Sequence, residues 1–554
     1  MTVEEARDHV GSVDVATAAG RIVDDLTAHP WGRASPSVYE TGRLVSLAPW
    51  LAGQDERLRF LLESRRPDGG WGLPHDGYAL VPTLSATEAL LGVLRARVPC
   101  SEAAATAVPR AELVEAAGQG LRLLHGRLGA DRHLDLPDMP AIEHITPYLI
   151  KRINGHLGEL RVRPVPGLEA WAERDGLPVP RGMTGAMLPL FRNLLDRGEP
   201  VPEKLLHALE IAGDGARGAR AVRPGPSGTI GASPAATAAW LGDGTGTGTG
   251  ERAAARRYLE EAAAQHGGPV SVAAPITEFE RGWVLSWLAR VGVPLKVPPR
   301  VIADLRAALG TTGTGGGAGL PPDADSSAGA LYALSLLGRP YPPDLLWQYE
   351  TETHFCTWRG ENGRSITTNA HVLEAFGQYL EATGGGADRA RYAASMAKVT
   401  FWLCGRQDAD GAWRDRWHAS PYYATACAAL ALDRFGTGAG AERAVRDAVR
   451  WVLGSQRPEG SWGRWDGTAE ETAYALQILL LSRHVPDGGR WAVARGAAWL
   501  RSTIETGLTS LNIPDSNKIP LWHDKDVYHP TTIVQAAIVA TLHLLQSDPH
   551  VPNM

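Results

Sequence analysis

The sequence predicts an all-α protein. Apolar residues recur at helical spacing along most of the chain, and almost no stretch shows the alternation of a half-buried β-strand. A third observation is an internal repeat, in which a helix ends in a glycine turn followed by tryptophan, at residues 60–71, 401–413 and 451–462. Such units can stack as helical hairpins around a ring. Because one copy lies near residue 65 and two lie after residue 400, the repeat indicates two helical domains.

Length and composition are those of an ordinary globular protein. The 554 residues exceed what one core usually supports, and the net charge of −6 argues weakly against a nucleic-acid partner. Four scattered cysteines without a C-x-x-C pair fit a reducing compartment. The acidic N-terminus lacks the apolar region of a signal peptide, and no apolar run has the roughly 18 residues that a membrane span needs. We therefore expect a cytoplasmic protein without a membrane span.

Helix-start signals set the order of the elements. The first helix is predicted at about residues 15–28, and Ser35–Ser37 signals the start of the next. Further on, Ser233 and Pro234 form an N-cap followed by proline at the first helical position. A strong helix follows Pro275, with tryptophan and leucine at helical spacing.

The repeat itself has a physical explanation. Its last residues are Trp71, Trp413 and Trp462, each preceded by glycine at two residues and by an acid at three. Gln407 and Gln456 lie six residues before the second and third tryptophan, where the first copy has arginine. The polar side chain can bond the backbone of the turn, and the tryptophan can pack back on the helix.

A second motif combines acids with a helix start. In residues 321–337, PPDADSSAGALYALSLL, Asp323 and Asp325 precede a series of apolar residues spaced three apart from Ala328. One interpretation is capping, since aspartate and serine are common N-cap residues. The other is chemical, because the free N–H groups of a helix start stabilise a carboxylate.

The tryptophan turns resemble the QW motifs of terpene cyclases, and DADSSAGALYAL resembles the D-x-D-D-T-A motif of the class II enzymes. Eight further segments, in matching order from about residue 30 to 530, are similar to those of bacterial prenyl diphosphate cyclases of this family. These segments are SPSVYETG (35–42), IEHITPYL (142–149), IGASPAATAAWL (230–241), FERGWVLSWL (279–288), SITTNAHVLEAF (365–376), DRWHASPYYATA (415–426), GTAEETAYALQ (467–477) and LWHDKDVYHP (521–530).

The resemblance implies two (α/α) barrel domains named β and γ, with the active site between them. Residues 1–30 would give the first helix of the β domain, residues 31–274 the inserted γ domain, and residues 275–554 the rest of the β domain. A domain for diphosphate ionisation would need a D-D-x-x-D motif, and Asp24-Asp25 is followed by Leu-Thr-Ala instead. We therefore expect the diphosphate to be retained.

The implied reaction is protonation of the terminal alkene of a linear prenyl diphosphate, ring closure and loss of a proton. The product would be a bicyclic drimane or labdane diphosphate, as in drimenyl and copalyl diphosphate synthases. By the family's motif the acid is Asp325, assisted by Asp323. His371 aligns with the family's acid-binding position, where it would orient the acid and stabilise its anion; a packing role is the alternative.

Ser326 departs from the motif, which has a last aspartate at this position. The departure puts the usual hydrogen-bond network in question. Because similar cyclases of farnesyl diphosphate also carry a hydroxyl residue there, it favours a C15 substrate slightly over geranylgeranyl diphosphate.

Aromatic side chains are expected to stabilise the carbocations by cation–π attraction. The candidates are Trp283, Trp358, Trp417 and Tyr422, for each of which ordinary core packing is the alternative.

Charged residues of the similar segments are expected to bind the diphosphate. Arg416 and Lys525 are the basic candidates, with surface ion pairs as the alternative. Mg²⁺ would bridge the diphosphate to a carboxylate, for which Glu40 and Glu470 are the candidates.

Two other functions stay open. A squalene- or hopene-type hydrocarbon cyclase would share the acid and the tryptophan turns but need no diphosphate site. A non-catalytic helical scaffold is favoured only by Ser326. The expected partner is a small prenyl diphosphate, and the protein is expected to be a monomer or homodimer.

Overall fold

The computed structural model describes residues 14–95, 108–129, 135–244, 249–507, 510–514 and 517–547. These residues are mostly helical, which confirms the all-α prediction. None of the helices in these ranges is long and apolar enough to cross a membrane. The first helix is α1 (Val15–Ala28), as predicted.

The helices between residues 38 and 264 surround one hydrophobic core, formed by residues between 38 and 270 together with Ala419, Leu521 and Val527. They are α2 (Val38–Leu47), α3 (Gln54–Glu63), α4 (Leu80–Arg95), α5 (Arg110–Leu128), α6 (Ile142–Leu160), α7 (Glu169–Ala172), α8 (Met187–Asp196), α9 (Pro234–Leu241) and α10 (Glu251–Ala264). A 3₁₀ segment, Glu203–Ala216, lies between α8 and α9. Helix α2 contacts α4, α4 contacts α6, and α6 is linked through the 3₁₀ segment and α9 back to α2. This set therefore closes into a ring.

A second core contains α1 and the remaining helices. They are α11 (Thr277–Arg290), α12 (Pro299–Ala308), α13 (Ala324–Leu336), α14 (Ile366–Thr383), α15 (Arg389–Cys404), α16 (Pro421–Phe435), α17 (Ala439–Gly454), α18 (Ala469–Leu481), α19 (Gly489–Thr503) and α20 (Thr531–Ser547), with 3₁₀ segments at Pro343–Tyr349 and Gly386–Asp388. Helices α11, α13, α14, α16, α18 and α20 each contact the next, and α20 contacts α11. The result is a closed inner ring, with α1, α12, α15, α17 and α19 packed outside it. Inner helices such as α13 are buried on nearly all faces, because neighbours surround them.

The tryptophan turns have the predicted construction. The indole N–H of Trp71, Trp413 and Trp462 donates to the carbonyl ten residues earlier, at 2.5, 2.9 and 2.7 Å. The Gln407 and Gln456 side chains donate to the glycine carbonyl of their own turn and to a carbonyl of the following outer helix. The backbone N–H of each tryptophan also donates, at 3.0 Å, to a threonine hydroxyl near the start of the next inner helix, so each turn fixes an outer helix to an inner one.

Strands occur among the described residues only as two short hairpins. These are β1 (Glu505–Gly507) with β2 (Ser510–Asn512), and β3 (Trp522–His523) with β4 (Val527–Tyr528). The sequence did not predict them, since strands of two or three residues leave no periodic pattern. The β3–β4 hairpin lies between the cores: Trp522 and Tyr528 belong to the second core, and Leu521 and Val527 to the first.

The tip of this hairpin places two charged residues, Lys525 and Asp526, inside the protein. Lys525 is 1% exposed, and its ammonium group pairs with the carboxylates of Glu40 and Glu210. It also donates to Ser233 Oγ at 2.8 Å. Asp526 accepts hydrogen bonds from Ser37 Oγ at 3.0 Å and from the Tyr39 N–H at 3.1 Å. The two halves of the protein are thus joined by a buried polar cluster.

Replacing Lys525 by methionine should destabilise the protein strongly. The variant keeps most of the side-chain volume but leaves two buried carboxylates without their cation, which costs about 3–5 kcal/mol of unfolding free energy. Chemical denaturation measures the loss. Lys204→Met is the control, because the Lys204–Glu361 pair lies at the surface with 45% and 31% of its side chains exposed. Equal stability of the two variants would contradict the interpretation.

Candidate active site

The starts of the inner helices meet at the end of the ring that faces the first core. Side chains cap several of these helices: Asp323 caps α13, Ser365 caps α14, Ser420 caps α16 and Thr468 caps α18. Contacts to the first half of the chain, such as Arg416 with Asp138 at 3.0 Å, place this end at the interface. Several helix N-termini therefore direct positive potential toward one region.

Asp325 and His371 form a hydrogen-bonded pair in this region. Asp325 lies in the first turn of α13, and its Oδ1 is 2.9 Å from His371 Nδ1 on α14. Burial alone would lower the pKa of His371, but the Asp325 carboxylate and the Cys427 thiol outweigh it, and the pKa lies well above its usual value. The Asp325 side chain keeps 15% of its surface exposed, so it is reachable. The structure thus brings together the acid and the histidine predicted to orient it.

Asp323 caps α13 and is linked to Ser326. One carboxylate oxygen accepts the Ser326 N–H at 2.6 Å, and the other is 2.9 Å from the Ser326 hydroxyl. Burial raises the pKa of Asp323 to about 7, and the charge of Asp325 adds to the shift. Asp323 is therefore the N-cap of α13. The hydroxyl of Ser326 completes the hydrogen-bond network in place of the motif's last aspartate.

Trp283 lies beside the acid pair. Its ring meets His371 edge to face at 4.9 Å, and its Nε1–H donates to the Tyr423 hydroxyl at 2.7 Å. Gly329 makes this placement possible, since a Cβ at that position would lie 2.3 Å from the indole. Phe279 packs on the other side of Trp283 at 4.6 Å. The position of Trp283 suits a cation–π role.

Trp358 and Trp417 pair with each other. Their rings meet edge to face at 5.4 Å. The segment before Trp358 touches the acid-bearing helix, because the Ala324 N–H donates to the Thr357 carbonyl at 2.9 Å. Asp415, two residues before Trp417, caps the start of α14 through the Ile366 N–H. Both tryptophans are thus near the helix starts that carry Asp325 and His371.

Tyr422 lines a cavity between the two halves of the chain, together with Arg416. Its ring packs on Trp451 of the tryptophan turn at 4.6 Å, on the outer side of α16. The next residue, Tyr423, is 1% exposed and faces inward, with its hydroxyl bound to Trp283 and its ring 4.7 Å from His418. Neighbouring residues on a helix point about 100° apart, and the sequence offered no means to choose between the two tyrosines. Tyr423 is therefore a further aromatic candidate, beside Trp283, and a role of Tyr422 in substrate binding stays a prediction.

Arg416 lines a cavity of about 630 Å³ between the two halves of the chain. The cavity wall also includes the arginines at 364, 414 and 464 and the acids Asp138 and Asp415. Arg416 itself is bound to Asp138, which comes from the first half of the chain. The cavity is therefore rich in guanidinium groups, which suit an anionic ligand.

The other charged candidates are not placed to bind a diphosphate or a metal. Lys525 and Glu40 were predicted for separate roles, but they are paired with each other in the buried cluster. Glu470 is 1% exposed and accepts from Trp522 Nε1, Tyr474 Oη and His418 Nε2. No cluster of three histidine, cysteine or acidic side chains that could hold a metal occurs within the described ranges. The predicted residues thus do not fit an Mg²⁺ site, and a requirement for Mg²⁺ stays a prediction.

Sequence reasoning missed Tyr423, Trp522 and Tyr528. Trp522 packs on Tyr423 at 4.6 Å and lies opposite Tyr528 in the β3–β4 hairpin. Burial raises the pKa of Tyr528 above its usual range, and the charges of Asp524, Asp325 and Glu470 add to the effect. All three residues stand in segments where the resemblance was recognised, which is the signal that could have singled them out.

The family of the squalene-hopene cyclase C-terminal domain matches residues 364–507. An ent-copalyl diphosphate synthase of Streptomyces sp. (strain KO-3988) is 42% identical over 96% of both chains. A copalyl diphosphate synthase of Streptomyces cyslabdanicus is 39% identical over 96% of this chain and 95% of its own.

Solved structures give the same result. An ent-copalyl diphosphate synthase from Streptomyces platensis superposes with a TM-score of 0.86 at 40% identity, covering 96% of this chain and 99% of that one. The Arabidopsis thaliana ent-copalyl diphosphate synthase, at 14% identity, has a TM-score of 0.57 over 95% of this chain and 63% of its own. This second match shows the fold alone.

Asp323 should make stability depend on pH. Its pKa is about 7 in the folded protein against 3.8 in the unfolded chain, so the folded protein retains a proton between these values. Its contribution is complete below the lower value and declines as the pH rises through the higher one. Asp323→Asn keeps an N-cap but cannot titrate. As the pH rises, the unfolding free energy of the wild type should thus fall relative to that of Asp323→Asn, by at most about 4 kcal/mol.

Chemical denaturation at several pH values between about 5 and about 8 measures the difference. Asp14→Asn is the matched control, because Asp14 caps α1 and its carboxylate is fully in solvent. Parallel pH profiles for wild type and Asp323→Asn would show that Asp323 does not hold the proton.

Proposed function

This chain belongs to the class II terpene cyclases, and we propose that it cyclises a linear prenyl diphosphate by protonation to a bicyclic labdane-type diphosphate. The observation that carries the proposal is the Asp325–His371 hydrogen bond at the start of α13, beside the Trp283 ring. The diphosphate takes no part in the bond changes and remains on the product.

Asp325 acts as the acid. Its Oδ1 is held by His371, which leaves Oδ2 to carry the proton. The π electrons of the terminal alkene take this proton and a tertiary cation forms. The carboxylate left behind is stabilised by the His371 ring and by the N-terminus of α13.

Ring closure then moves the cation along the chain of the substrate. Each closure uses the electrons of the next double bond and leaves a new tertiary cation, until a C–H proton is lost. Trp283, Tyr423 and Trp522 offer aromatic rings next to the acid pair, and such rings attract cations without reacting with them.

The relatives favour a C20 substrate. They are named for copalyl diphosphate and, in Streptomyces clavuligerus, for labda-7,13-dienyl diphosphate, which are cyclised from geranylgeranyl diphosphate. Ser326 had favoured farnesyl diphosphate. The Ser326 hydroxyl is hydrogen-bonded to the Asp323 carboxylate. This contact explains the serine without requiring a shorter substrate. Geranylgeranyl diphosphate is therefore the first candidate and farnesyl diphosphate the second.

The arginine-lined cavity is our candidate for the diphosphate end. Arg416 reaches it from the loop that also carries Trp417, so an anion bound there would leave the prenyl chain free to extend toward the aromatic rings. Guanidinium groups bind phosphate oxygens in pairs, which would hold the substrate in one orientation.

Parallel incubations of the protein with geranylgeranyl diphosphate, farnesyl diphosphate and squalene test the proposal. We expect a cyclic diphosphate, detected by mass spectrometry before and after phosphatase treatment, and no squalene product. Release of inorganic diphosphate at the rate of turnover, or conversion of squalene alone, would refute it.

Asp325→Asn should abolish cyclisation, with activity falling by at least about 1,000-fold because no other group supplies the proton. The fold should remain, since the amide replaces a carboxyl of the same shape, and circular dichroism checks this. Asp344→Asn, at a surface 3₁₀ segment, serves as the control. Full activity of the Asp325 variant would disprove the assignment of the acid.

Arg416→Ala should weaken substrate binding. We expect KM to rise by about tenfold while kcat changes little, because the arginine binds the end of the substrate that does not react. Steady-state kinetics measures both constants. Arg450→Ala removes a surface arginine paired with Asp447 and should leave KM unchanged. An unaltered KM in Arg416→Ala would place the diphosphate elsewhere.

A further inference from the structure

Glu470 is a buried carboxylate surrounded by aromatic rings. It is the second residue of α18 and is 1% exposed. Its Oε1 accepts three hydrogen bonds, from Trp522 Nε1 at 2.7 Å, Tyr474 Oη at 3.0 Å and His418 Nε2 at 3.2 Å. All three donors belong to rings, so the charge of one oxygen is shared with three aromatic side chains.

The charge of Glu470 is not balanced by a cation. Its ion-pair partners in the described chain are two histidines, His418 and His529, and no lysine or arginine. His418 Nδ1 accepts the Ser420 N–H at 3.0 Å, so its proton lies on Nε2 and the ring is neutral. Burial lowers the pKa of His529, which keeps that ring neutral as well.

Glu470 nevertheless remains ionised. Burial opposes ionisation, but three N–H and O–H donors converge on Oε1, and hydrogen bonds to a carboxylate favour its charged form. The second oxygen, Oε2, has no hydrogen-bond donor in the described structure, and the nearest histidine nitrogen, His529 Nδ1, is 4.0 Å away. A carboxylate buried with one oxygen unsatisfied is costly, which calls for an explanation other than packing.

The rings bound to Glu470 continue to the acid pair. Trp522 lies 4.6 Å from Tyr423 and 5.7 Å from Phe279. Tyr423 is bound to Trp283, and Trp283 meets His371. Asp325 therefore stands at one end of a continuous aromatic wall and Glu470 lies behind the other end.

We propose that Glu470 is the fixed counter-charge of the cation cascade, acting through the Trp522, Tyr474 and His418 rings. An N–H or O–H that donates to an anion makes its ring richer in electrons, and the face of such a ring attracts a cation more strongly. The buried charge also attracts the cation directly, since little water screens it. Glu470 is thus a positioning residue for the reaction proposed above, and the inference rests on that function.

Three variants separate charge from shape. Glu470→Gln keeps the size of the side chain and an oxygen for the three donors but removes the charge. Glu470→Asp keeps the charge but shortens the side chain. If the charge matters, kcat should fall by about tenfold or more in the glutamine variant, with KM within about twofold, and the aspartate variant should be the more active of the two. If Glu470 serves only in packing, the glutamine variant should instead be the more active of the two. Trp522→Phe keeps a ring but removes its donor, and should also lower kcat.

The matched control is Glu471→Gln. Glu471 is the next residue of α18 and is equally buried, but it bonds the Arg464 N–H and Thr468 of the tryptophan turn instead of the aromatic wall. This variant should change stability without changing kcat or the ratio of products. In the glutamine variant of Glu470, by contrast, incompletely cyclised diphosphates should appear, because the later cations lose stabilisation.

Each result decides the proposal. A kcat of Glu470→Gln equal to wild type, or above that of Glu470→Asp, overturns it. If Glu470→Gln fails to fold, as judged by circular dichroism, unchanged kcat in Trp522→Phe overturns it and a lowered kcat with unchanged KM supports it. A wild-type protein that forms no cyclic diphosphate removes the proposed function and this inference together, whereas an active wild type with unaffected variants removes only the inference.

Discussion

The starts of the inner helices meet at one end of the second ring, and the candidate site depends on this arrangement. Unpaired N–H groups at helix starts favour negative charge, and three carboxylates lie there: Asp323 and Asp325 on α13 and Glu470 on α18. The tryptophan turns set these helix starts in place, because each turn bonds the end of an outer helix and the first turns of an inner one. A feature that builds the fold therefore also determines where acids can be kept.

The two carboxylates at the start of α13 have different environments. Both carboxylate oxygens of Asp323 accept hydrogen bonds from Ser326, and burial raises the pKa of Asp323. Asp325 has a histidine bonded to one oxygen, and part of its side chain is accessible. The first is suited to hold the helix start and the second to deliver a proton. Capping and catalysis, which were alternatives for the motif as a whole, are divided between its two acids.

What could be predicted from the sequence was local or shared with a family. Helix starts, the tryptophan turns and the acid with His371 depend on short spacings or on matched segments, and the structure has them as expected. The partners of Lys525 could not be predicted, because Glu40 and Glu210 lie more than 300 residues away and meet it only when the two cores pack together. Tyr423 was missed for a smaller reason: a one-residue step along a helix turns the side chain by about 100°.

The protein contains two kinds of buried charged site, one balanced by opposite charges and one not. At the hairpin tip, Lys525 is balanced by two carboxylates, as a structural ion cluster requires. At Glu470 no cation is present among the described residues, and the charge is met only by neutral donors and a helix start. Both carboxylate sites lie on the same interface, so burial alone does not explain the difference. A reaction that passes through a series of cations supplies the missing positive charge, and only for as long as the substrate carries it.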